Sequence, residues 1–314
     1  MLLALLAILA GLILLALGAE GLVRGSSSIA LRMGIAPLAI GLTVVAFGTG
    51  SPEMIVSLQA ALSGSSGLAL GHIVGSNIAN LAFILGVAAL ARPLHVRSAV
   101  LQREVPVMIA VTVLLALMLW DGMLGRLEGA ALGAGAIAYT VLTYRAARRD
   151  RDAEVSAEFA DQLPATPIGT RRSVVLVLAG LAGLLVGAHV LVRGAVVIAQ
   201  GLGMSEVVIG LTVVALGTSL PELATSVVAA LRNDADVAFG NVLGSNILNI
   251  LLILGVVAMI QPISAAALRP LDLGVMVGST VLVYLLMHHG RVLDRRKGGV
   301  LLAGYLAYVV ATLA

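Results

Sequence analysis

The feature that most constrains this chain is a series of long apolar runs separated by short polar segments. Ten runs reach the length of about 17 residues that a helix needs to cross a bilayer. They are residues 2–22, 36–62, 68–91, 105–121, 126–144, 173–192, 205–231, 237–260, 271–288 and 299–314. We therefore expect an all-α integral membrane protein with ten transmembrane helices.

The composition agrees with a membrane protein. Apolar residues make up 60% of the chain and charged residues 11%, and the mean hydropathy is +1.09. Soluble chains usually carry about 25% charged residues. Because this chain has far fewer, its pI near 9.7 does not indicate a soluble nucleic-acid-binding protein. The absence of Cys excludes disulfides and thiolate metal sites. No basic segment precedes the first run, and its apolar stretch is long, so we interpret it as a helix rather than a signal peptide.

The distribution of positive charge predicts an orientation. When each Lys or Arg is assigned to the nearest loop, all but three of the 19 fall on one side, the exceptions being Arg126, Arg193 and Arg269. The basic side is predicted to be cytoplasmic, which places both termini outside. The chain then divides into a first five-helix repeat at 1–144, a cytoplasmic linker at 145–172 and a second five-helix repeat at 173–314.

The two halves share sequence at a fixed offset of 169 residues. Residues 41–63 match 210–232 at 14 of 23 positions, and residues 68–86 match 237–255 at 10 of 19 positions. Because five spans is an odd number, the second half enters the membrane in the opposite direction and the repeats are inverted. Inverted repeats are typical of secondary transporters, whose substrate site lies near the midplane between the repeats. The alternative is a duplication without a transport role.

Each half carries one carboxylate deep in the predicted membrane. The motifs are GTGSPE, which ends at Glu53, and GTSLPE, which ends at Glu222. A charged carboxylate at this depth costs roughly 3 kcal/mol, so both need partners or a wet cavity. Neither motif contains Lys or Arg, and a bound cation is the simplest counter-charge. The alternative is a pair of protonated, hydrogen-bonded glutamic acids in the core.

A proline precedes each of these carboxylates. Pro52 and Pro221 have no N–H to donate, so the carbonyl groups of Gly48 and Gly217 lose their helical partners. Freed backbone groups at membrane depth are tolerated where protein, water or an ion satisfies them. The prolines therefore predict broken helices that supply ligands, and a purely mechanical kink is the alternative.

Four polar pairs with a spacing of four residues lie near the middle of these spans. The pairs are Thr49 with Glu53, Thr218 with Glu222, Ser76 with Asn80, and Ser245 with Asn249. All of them offer oxygen, which favours Ca²⁺, Na⁺ or H⁺ over Cu and Zn. Ser and Asn also serve as ordinary polar contacts between membrane helices, and this is the alternative for the last two pairs. His72 and His189 lack a His at the equivalent position and are interpreted as non-ligands.

At GTGSPE, GTSLPE and the two GSNI segments, the chain resembles the sodium/calcium exchanger family of the cation/calcium antiporter superfamily, prokaryotic type. The resemblance covers both halves and implies exchange of one cytoplasmic Ca²⁺ for several Na⁺ by alternating access around four clustered ion sites. It implies that Ca²⁺ is bound by the two central carboxylates and two threonines, Glu53, Glu222, Thr49 and Thr218. The Na⁺ ligands that it implies are Ser76, Ser219, Ser245 and the backbone carbonyl groups of Ala46 and Ala215.

Two positions depart from the family pattern. Gly50 stands where the family usually has Ser, which removes one hydroxyl group, and Ser51 is the neighbouring hydroxyl that would replace it. Asn249 stands where well-studied exchangers carry an acid. With one carboxylate fewer, the coupling ion and its stoichiometry stay open, and exchange of Ca²⁺ for H⁺ is the alternative function.

Other classes of protein fit the sequence less well. An intramembrane protease needs an activated Ser or a pair of Asp, but Ser51 has no His at a helical spacing and no Asp lies in mid-span. A channel would pass ions without a counter-ion, and a purely structural bundle needs no site. We therefore expect no enzyme activity and no cofactor beyond the transported Ca²⁺ and Na⁺. We expect the lipid bilayer as surroundings, no nucleic acid and no obligatory protein partner, in a prokaryotic inner membrane.

Overall fold

The computed structural model describes residues 2–64, 66–153, 168–202, 215–266 and 268–313, and most of these are helical. The helices of the first half are α1 (Leu2–Met33), α2 (Pro37–Ile40), α3 (Ala46–Thr49), α4 (Ser51–Leu62), α5 (Ser66–Ile78), α6 (Leu85–Ala91), α7 (Val105–Met118) and α8 (Arg126–Ala153). Those of the second half are α9 (Thr170–Gly201), α10 (Ala215–Thr218), α11 (Leu220–Leu231), α12 (Ala235–Leu248), α13 (Gly255–Ile260), α14 (Pro270–His288) and α15 (Arg295–Leu313).

Short irregular segments connect these helices. The π-helical segments are Gly41–Val45, Ala79–Ile84, Val100–Glu104 and Asn249–Leu254, and Leu119–Asp121 is a 3₁₀ turn. The strands are β1 (Leu94–His95), β2 (Met123–Leu124), β3 (Ile263–Ser264) and β4 (Val292–Leu293). Strand β1 pairs with β4, and β2 pairs with β3, both antiparallel. Each pair therefore joins a loop of one half to a loop of the other half.

Within the described residues, six continuous helical stretches are long and apolar enough to cross a membrane, so the chain is a multi-pass membrane protein. They are Leu2–Met33, Gly67–Ala91, Val100–Asp121, Thr170–Gly201, Ala235–Ile260 and Pro270–His288. A seventh span is broken, because Pro37–Thr49 and Ser51–Leu62 are bent by 46° relative to each other. Helices α8 and α15 occupy the predicted fifth and tenth spans, but both begin with charged residues and are less apolar. The count of ten remains a prediction, since residues 205–214 of the predicted seventh span lie outside the described part.

Several helices extend beyond the apolar runs. Helix α1 continues from the predicted end at residue 22 to Met33, because Ser26, Ser27 and Ser28 are buried against neighbouring elements. Helix α8 continues to Ala153, so the first nine residues of the predicted linker are helical. The central part of that linker, 154–167, lies outside the described residues. An apolar run therefore marks the width of the membrane rather than the end of the helix.

The repeat in sequence is also a repeat of structural elements. Helices α4 and α11 begin at Ser51 and Leu220, and helices α8 and α15 begin at Arg126 and Arg295, in both cases 169 residues apart. Strands β1 and β3 have the same separation, as do β2 and β4. Because β3 is the repeat equivalent of β1 and β2 is that of β4, the pair of β2 with β3 is the repeat equivalent of the pair of β1 with β4.

Two equivalent helical stretches form the centre of the molecule. In Gly67–Ala91 and Ala235–Ile260, 78% of the most apolar window is buried, compared with 28% in α1 and α9. Helices α1 and α9 pack closely along each other at the periphery. A Cβ on Gly18 would lie 2.7 Å from the backbone nitrogen of Leu184, so small residues are needed at this contact. The central stretches hold four of the polar residues that the sequence singles out, Ser76, Asn80, Ser245 and Asn249.

Candidate cation site

Both helices that carry the acidic motifs are broken next to the carboxylates. Helix α3 ends at Thr49 and α4 begins at Ser51, and helix α10 ends at Thr218 and α11 begins at Leu220. The breaks predicted from the two prolines are thus confirmed. Glu53 and Glu222 lie in the first turns of α4 and α11, where backbone N–H groups and the helix dipole favour a negative charge.

The two carboxylates are buried and lie close enough to repel each other. Glu53 is 2% exposed and Glu222 is 1% exposed. Ser219 donates a hydrogen bond to Oε1 of Glu53 at 3.1 Å. The Thr218 hydroxyl contacts the Glu53 carboxylate, and the Thr49 hydroxyl contacts the Glu222 carboxylate. Each half therefore places its hydroxyl groups against the carboxylate of the other half, and no ion pair reaches either carboxylate within the described part of the chain.

Four buried oxygen atoms among the predicted ligands have no hydrogen-bond partner. They are Oε2 of Glu53, Oε2 of Glu222, Oδ1 of Asn80 and Oγ of Ser245. A buried polar atom without a partner costs about 1–3 kcal/mol, so four of them among the predicted ligands are unusual. Carboxylate, amide and hydroxyl oxygens are the ligands that Ca²⁺ prefers. In the described ranges, no three His, Cys, Asp or Glu side chains form a group, so a cation here would combine two carboxylates with neutral oxygens.

Gly50 lies beside a cluster of three predicted ligands, Ala46, Glu222 and Asn249. A Cβ on Gly50 would lie 3.0 Å from the Ala46 carbonyl oxygen, 3.9 Å from Oε1 of Glu222 and 4.0 Å from Oδ1 of Asn249. The Ala46 carbonyl accepts the N–H of Gly50 at 3.0 Å and keeps a second lone pair. The missing hydroxyl group would therefore point at predicted ligands.

An asparagine network connects the two central stretches. Asn80 donates to Oδ1 of Asn246 at 3.1 Å, and Asn249 donates to Oδ1 of Asn77 at 3.0 Å. Sequence reasoning selected Asn80 and Asn249 but did not select Asn77 and Asn246, although both belong to the repeated GSNI segments. The network uses the amide nitrogens of Asn80 and Asn249 and leaves their oxygens for other partners. The network also fits the alternative interpretation of Asn80 and Asn249, in which these residues form ordinary polar contacts between membrane helices.

The remaining predicted ligands have different surroundings. Ser76 is buried in α5, one turn before Asn80. Ala215 begins α10, directly after residues that lie outside the described part. Ser51 donates to the Phe47 carbonyl at 3.1 Å, and Phe47 is 55% exposed. The structure does not bring the Ser51 hydroxyl to the cluster, because that hydroxyl lies on the outer side of the broken helix.

His72 has a position that sequence reasoning did not anticipate. Its Nε2 atom lies 3.2 Å from the Thr218 hydroxyl, and its Nδ1 atom lies 3.1 Å from the Ser57 hydroxyl. The equivalent residue Asn241 accepts a hydrogen bond from Thr49 at 3.0 Å. The sequence feature that could have indicated this role is that both halves carry a polar side chain at this position, His72 and Asn241. His189, by contrast, is exposed on α9.

Comparisons with known proteins agree with this arrangement. A family model described as "Sodium/calcium exchanger protein" matches residues 3–145 and again 172–314. The putative antiporter CaxA of Alkalimonas amylolytica is 41% identical over 98% of both chains. The sodium/calcium exchanger MaX1 of Methanosarcina acetivorans is 31% identical over 96% of both chains.

The fold is also similar to that of solved structures. A structure of the sodium-calcium exchanger NCX_Mj superimposes with a TM-score of 0.86 at 33% identity, covering 100% of this chain and 99% of that one. Both halves of the chain match the family model, and the match in fold extends over the whole described molecule. This protein therefore belongs to the sodium/calcium exchanger family.

Proposed function

We propose that this protein is a secondary active antiporter that exchanges Ca²⁺ for Na⁺ across the membrane at a midplane site around Glu53 and Glu222. The observation that carries the proposal is the set of four buried, unpartnered oxygens on Glu53, Glu222, Asn80 and Ser245. Bound cations would supply the partners that these oxygens lack. Relatives whose names describe sodium/calcium exchange, MaX1 and NCX_Mj, support the choice of ions.

Charge balance explains why the two ions compete. Two carboxylates carry two negative charges, which one Ca²⁺ or two Na⁺ can each offset. If a neutralised site permits the two repeats to move and an empty charged site does not, the protein exchanges cations without leaking them. The ligands that we propose for these ions are Glu53, Glu222, Thr49, Thr218, Ser76, Ser219, Ser245, Asn80, Asn249 and the carbonyl groups of Ala46 and Ala215.

The proposed architecture is ten helices in two inverted repeats. The packing of α1 against α9 supports inversion, because Gly11 lies against Gly187 whereas Gly25 lies against Ser173, so these equivalent helices are antiparallel. The strand pairs support it as well. Strands β1 and β4 belong to loops that are both predicted to be cytoplasmic, and β2 and β3 belong to loops that are both predicted to be outside.

Exchange of Ca²⁺ for H⁺ is the second candidate. The observation that favours it is the neutral amide at Asn249, which donates to Asn77 and leaves the site with two carboxylates. The same two carboxylates would then carry protons on the return step. In either case we propose a prokaryotic inner-membrane transporter with a cytoplasmic linker and external termini. It would have no enzyme activity, cofactor or obligatory protein partner.

The test is Ca²⁺ uptake by proteoliposomes loaded with Na⁺, compared with K⁺-loaded vesicles and with vesicles that carry a pH gradient. We expect uptake that requires internal Na⁺ and that is lost in Glu53→Gln and in Glu222→Gln. Glu128→Gln is the matched control, because Glu128 accepts a backbone N–H at the start of α8, away from the cluster. Uptake driven only by the pH gradient would select the H⁺ antiporter. Uptake that needs no counter-ion would contradict both candidates.

A further inference from the structure

Two hydrogen-bonded contacts beside the carboxylates are related by the repeat. The Thr218 hydroxyl lies 3.2 Å from Nε2 of His72, and the Thr49 hydroxyl donates to Oδ1 of Asn241 at 3.0 Å. His72 and Asn241 are 169 residues apart, as are the two threonines. Each threonine that we propose as a ligand therefore has a polar neighbour at the same place, an imidazole in one half and an amide in the other.

The other bonds of Asn241 fix the direction of its amide group. Its Nδ2 atom donates to the backbone carbonyl of Glu222 at 3.1 Å and to the Ser226 hydroxyl at 2.9 Å. A carbonyl oxygen can only accept, so the amide nitrogen must face Glu222 and the amide oxygen must face Thr49. Asn241 is fully buried, and its amide oxygen lies 3.0 Å from the Thr49 hydroxyl, in position to accept the hydroxyl proton.

The direction of that proton decides what the threonine oxygen can bind. A hydroxyl group has one proton and two lone pairs. For Thr49 the acceptors are Asn241 and the Val45 carbonyl at 3.1 Å, while the Glu222 carboxylate also lies within reach. A proton given to Glu222 would place a hydrogen where a cation binds. A proton given to Asn241 leaves the lone pairs facing the carboxylates.

His72 can do the same for Thr218 in one of its two tautomers. Its Nδ1 atom lies 3.1 Å from the hydroxyl of Ser57, which is the equivalent of Ser226. If Nδ1 carries the hydrogen and donates to Ser57, then Nε2 accepts from Thr218, and the roles match those of Asn241. The opposite tautomer would donate to Thr218 and occupy one of its lone pairs.

We infer that Asn241 and His72, the latter as the Nδ1–H tautomer, are positioning residues that accept the hydroxyl protons of Thr49 and Thr218. Both hydroxyl oxygens then face one bound cation with their lone pairs. The inference rests on the proposed function, because it requires a cation between the two carboxylates. It assigns equivalent roles to two chemically different side chains.

The experiment is calorimetric titration of the purified full-length protein with Ca²⁺. His72→Leu removes both ring nitrogens and should weaken Ca²⁺ binding about ten- to a hundred-fold, as loss of a group that orients a metal ligand typically does. His72→Asn supplies the amide of the other half and should recover most of that affinity. His189→Leu makes the same change at an exposed position of α9 and should bind like the wild type.

The tautomer is read independently from the ¹⁵N spectrum of protein labelled on histidine, in which the His72 signal is the one missing from His72→Asn. An Nδ1–H signal supports the inference, and an Nε2–H signal overturns it.

Unchanged Ca²⁺ affinity in His72→Leu, or no recovery of affinity in His72→Asn, also overturns the inference. If His72→Leu fails to fold, the spectrum and His72→Asn still decide. A wild-type protein that binds no Ca²⁺ contradicts the proposed function, whereas Ca²⁺ binding with the Nε2–H tautomer contradicts only the role of His72.

Discussion

Glu53 uses its two carboxylate oxygens differently. Oε1 accepts a hydrogen bond from Ser219, while Oε2 is buried and has no partner. Burial of an ionised carboxylate is costly unless other groups replace the water it loses. The hydrogen bond from Ser219 offsets part of this cost for Glu53, but the free oxygen leaves the rest uncompensated. A cation shared with Glu222 would balance both charges and occupy the free oxygens.

Gly50→Ser should improve Na⁺ binding. The new side chain would place a hydroxyl group near the Ala46 carbonyl, Oε1 of Glu222 and Oδ1 of Asn249. One added charge-assisted contact corresponds to an affinity about five- to ten-fold higher. The measurement is the Na⁺ concentration that gives half-maximal Ca²⁺ uptake. Gly50→Ala adds the same Cβ without the oxygen and should not lower that concentration, so an equal effect of both variants would refute the explanation.

Asn249→Asp should tighten Ca²⁺ binding. A third carboxylate adds negative charge beside Glu222, and the number of charged ligands is a main determinant of Ca²⁺ affinity. We expect a dissociation constant lower by about an order of magnitude. Calorimetric titration measures it, with Asn233→Asp, a change in an exposed turn, as the control. Weaker binding would mean that the lost hydrogen bond from Asn249 to Asn77 outweighs the added charge.

At the level of single residues, the sequence singles out positions that repeat as unusual types at membrane depth. Glu53 and Glu222 stand out because a carboxylate there is expensive, and the structure buries both next to helix breaks. Asn77 and Asn246 were missed because their role depends on partners in the other half of the chain. The contact of His72 with Thr218 was missed for the same reason, since no local spacing connects residues 72 and 218.

At the scale of elements, the broken helices and the close-packed helices have different tasks. The break at Gly50 bends the second span by 46°, and Glu53 lies in the first turn of α4, directly after the break. Helices α1 and α9 remain unbroken over 32 residues each, about 48 Å at 1.5 Å per residue, which is longer than a bilayer core. The broken elements carry the proposed ligands Glu53 and Glu222, and the long ones form the outer face.

Gly18→Ala should destabilise the protein although alanine normally favours a helix. The added Cβ would lie 2.7 Å from the backbone nitrogen of Leu184, so α1 and α9 must move apart. Overpacking of this kind costs about 1–3 kcal/mol. Gly278→Ala in α14 has open space and should keep or raise the melting temperature, because alanine gains up to about 1 kcal/mol over glycine in a helix. Thermal unfolding in detergent compares them, and equal behaviour would contradict the close contact.

Hydropathy predicts the helices of this chain better than it predicts their ends or connections. Apolar runs locate the membrane-crossing parts, but α8 continues through charged residues to Ala153 because its backbone hydrogen bonds do not depend on the bilayer. Strands β1 and β4 have only two residues each and pair across almost 200 positions of sequence. No local pattern indicates such a pairing, since it depends on the packing of the two halves.

For the whole molecule, the site exists only where the two halves meet. Thr49 contacts Glu222 and Thr218 contacts Glu53, so each acidic motif is completed by the other half. The asparagine network crosses between the halves in the same reciprocal way. One repeat alone would hold half of the ligands that we propose, and in the proposed exchange a relative movement of the repeats changes which side of the site is open.

The inverted arrangement predicts that equivalent positions face opposite sides of the membrane. His95 in β1 and Ser264 in β3 are both exposed and are 169 residues apart. The positive charge pattern places His95 in the cytoplasm and Ser264 outside. The chain contains no Cys, so His95→Cys and Ser264→Cys each introduce a single thiol into an otherwise unreactive protein.

A membrane-impermeant maleimide added to intact bacterial cells should label Ser264→Cys and leave His95→Cys unlabelled. In inside-out vesicles the result should reverse, which also controls for a thiol that is simply unreactive. Labelling of both variants from the same side would exclude inversion, because parallel repeats carry equivalent loops on one face. If intact cells label His95→Cys and inside-out vesicles label Ser264→Cys, the repeats are still inverted. That result would overturn only the orientation that the positive charges predict.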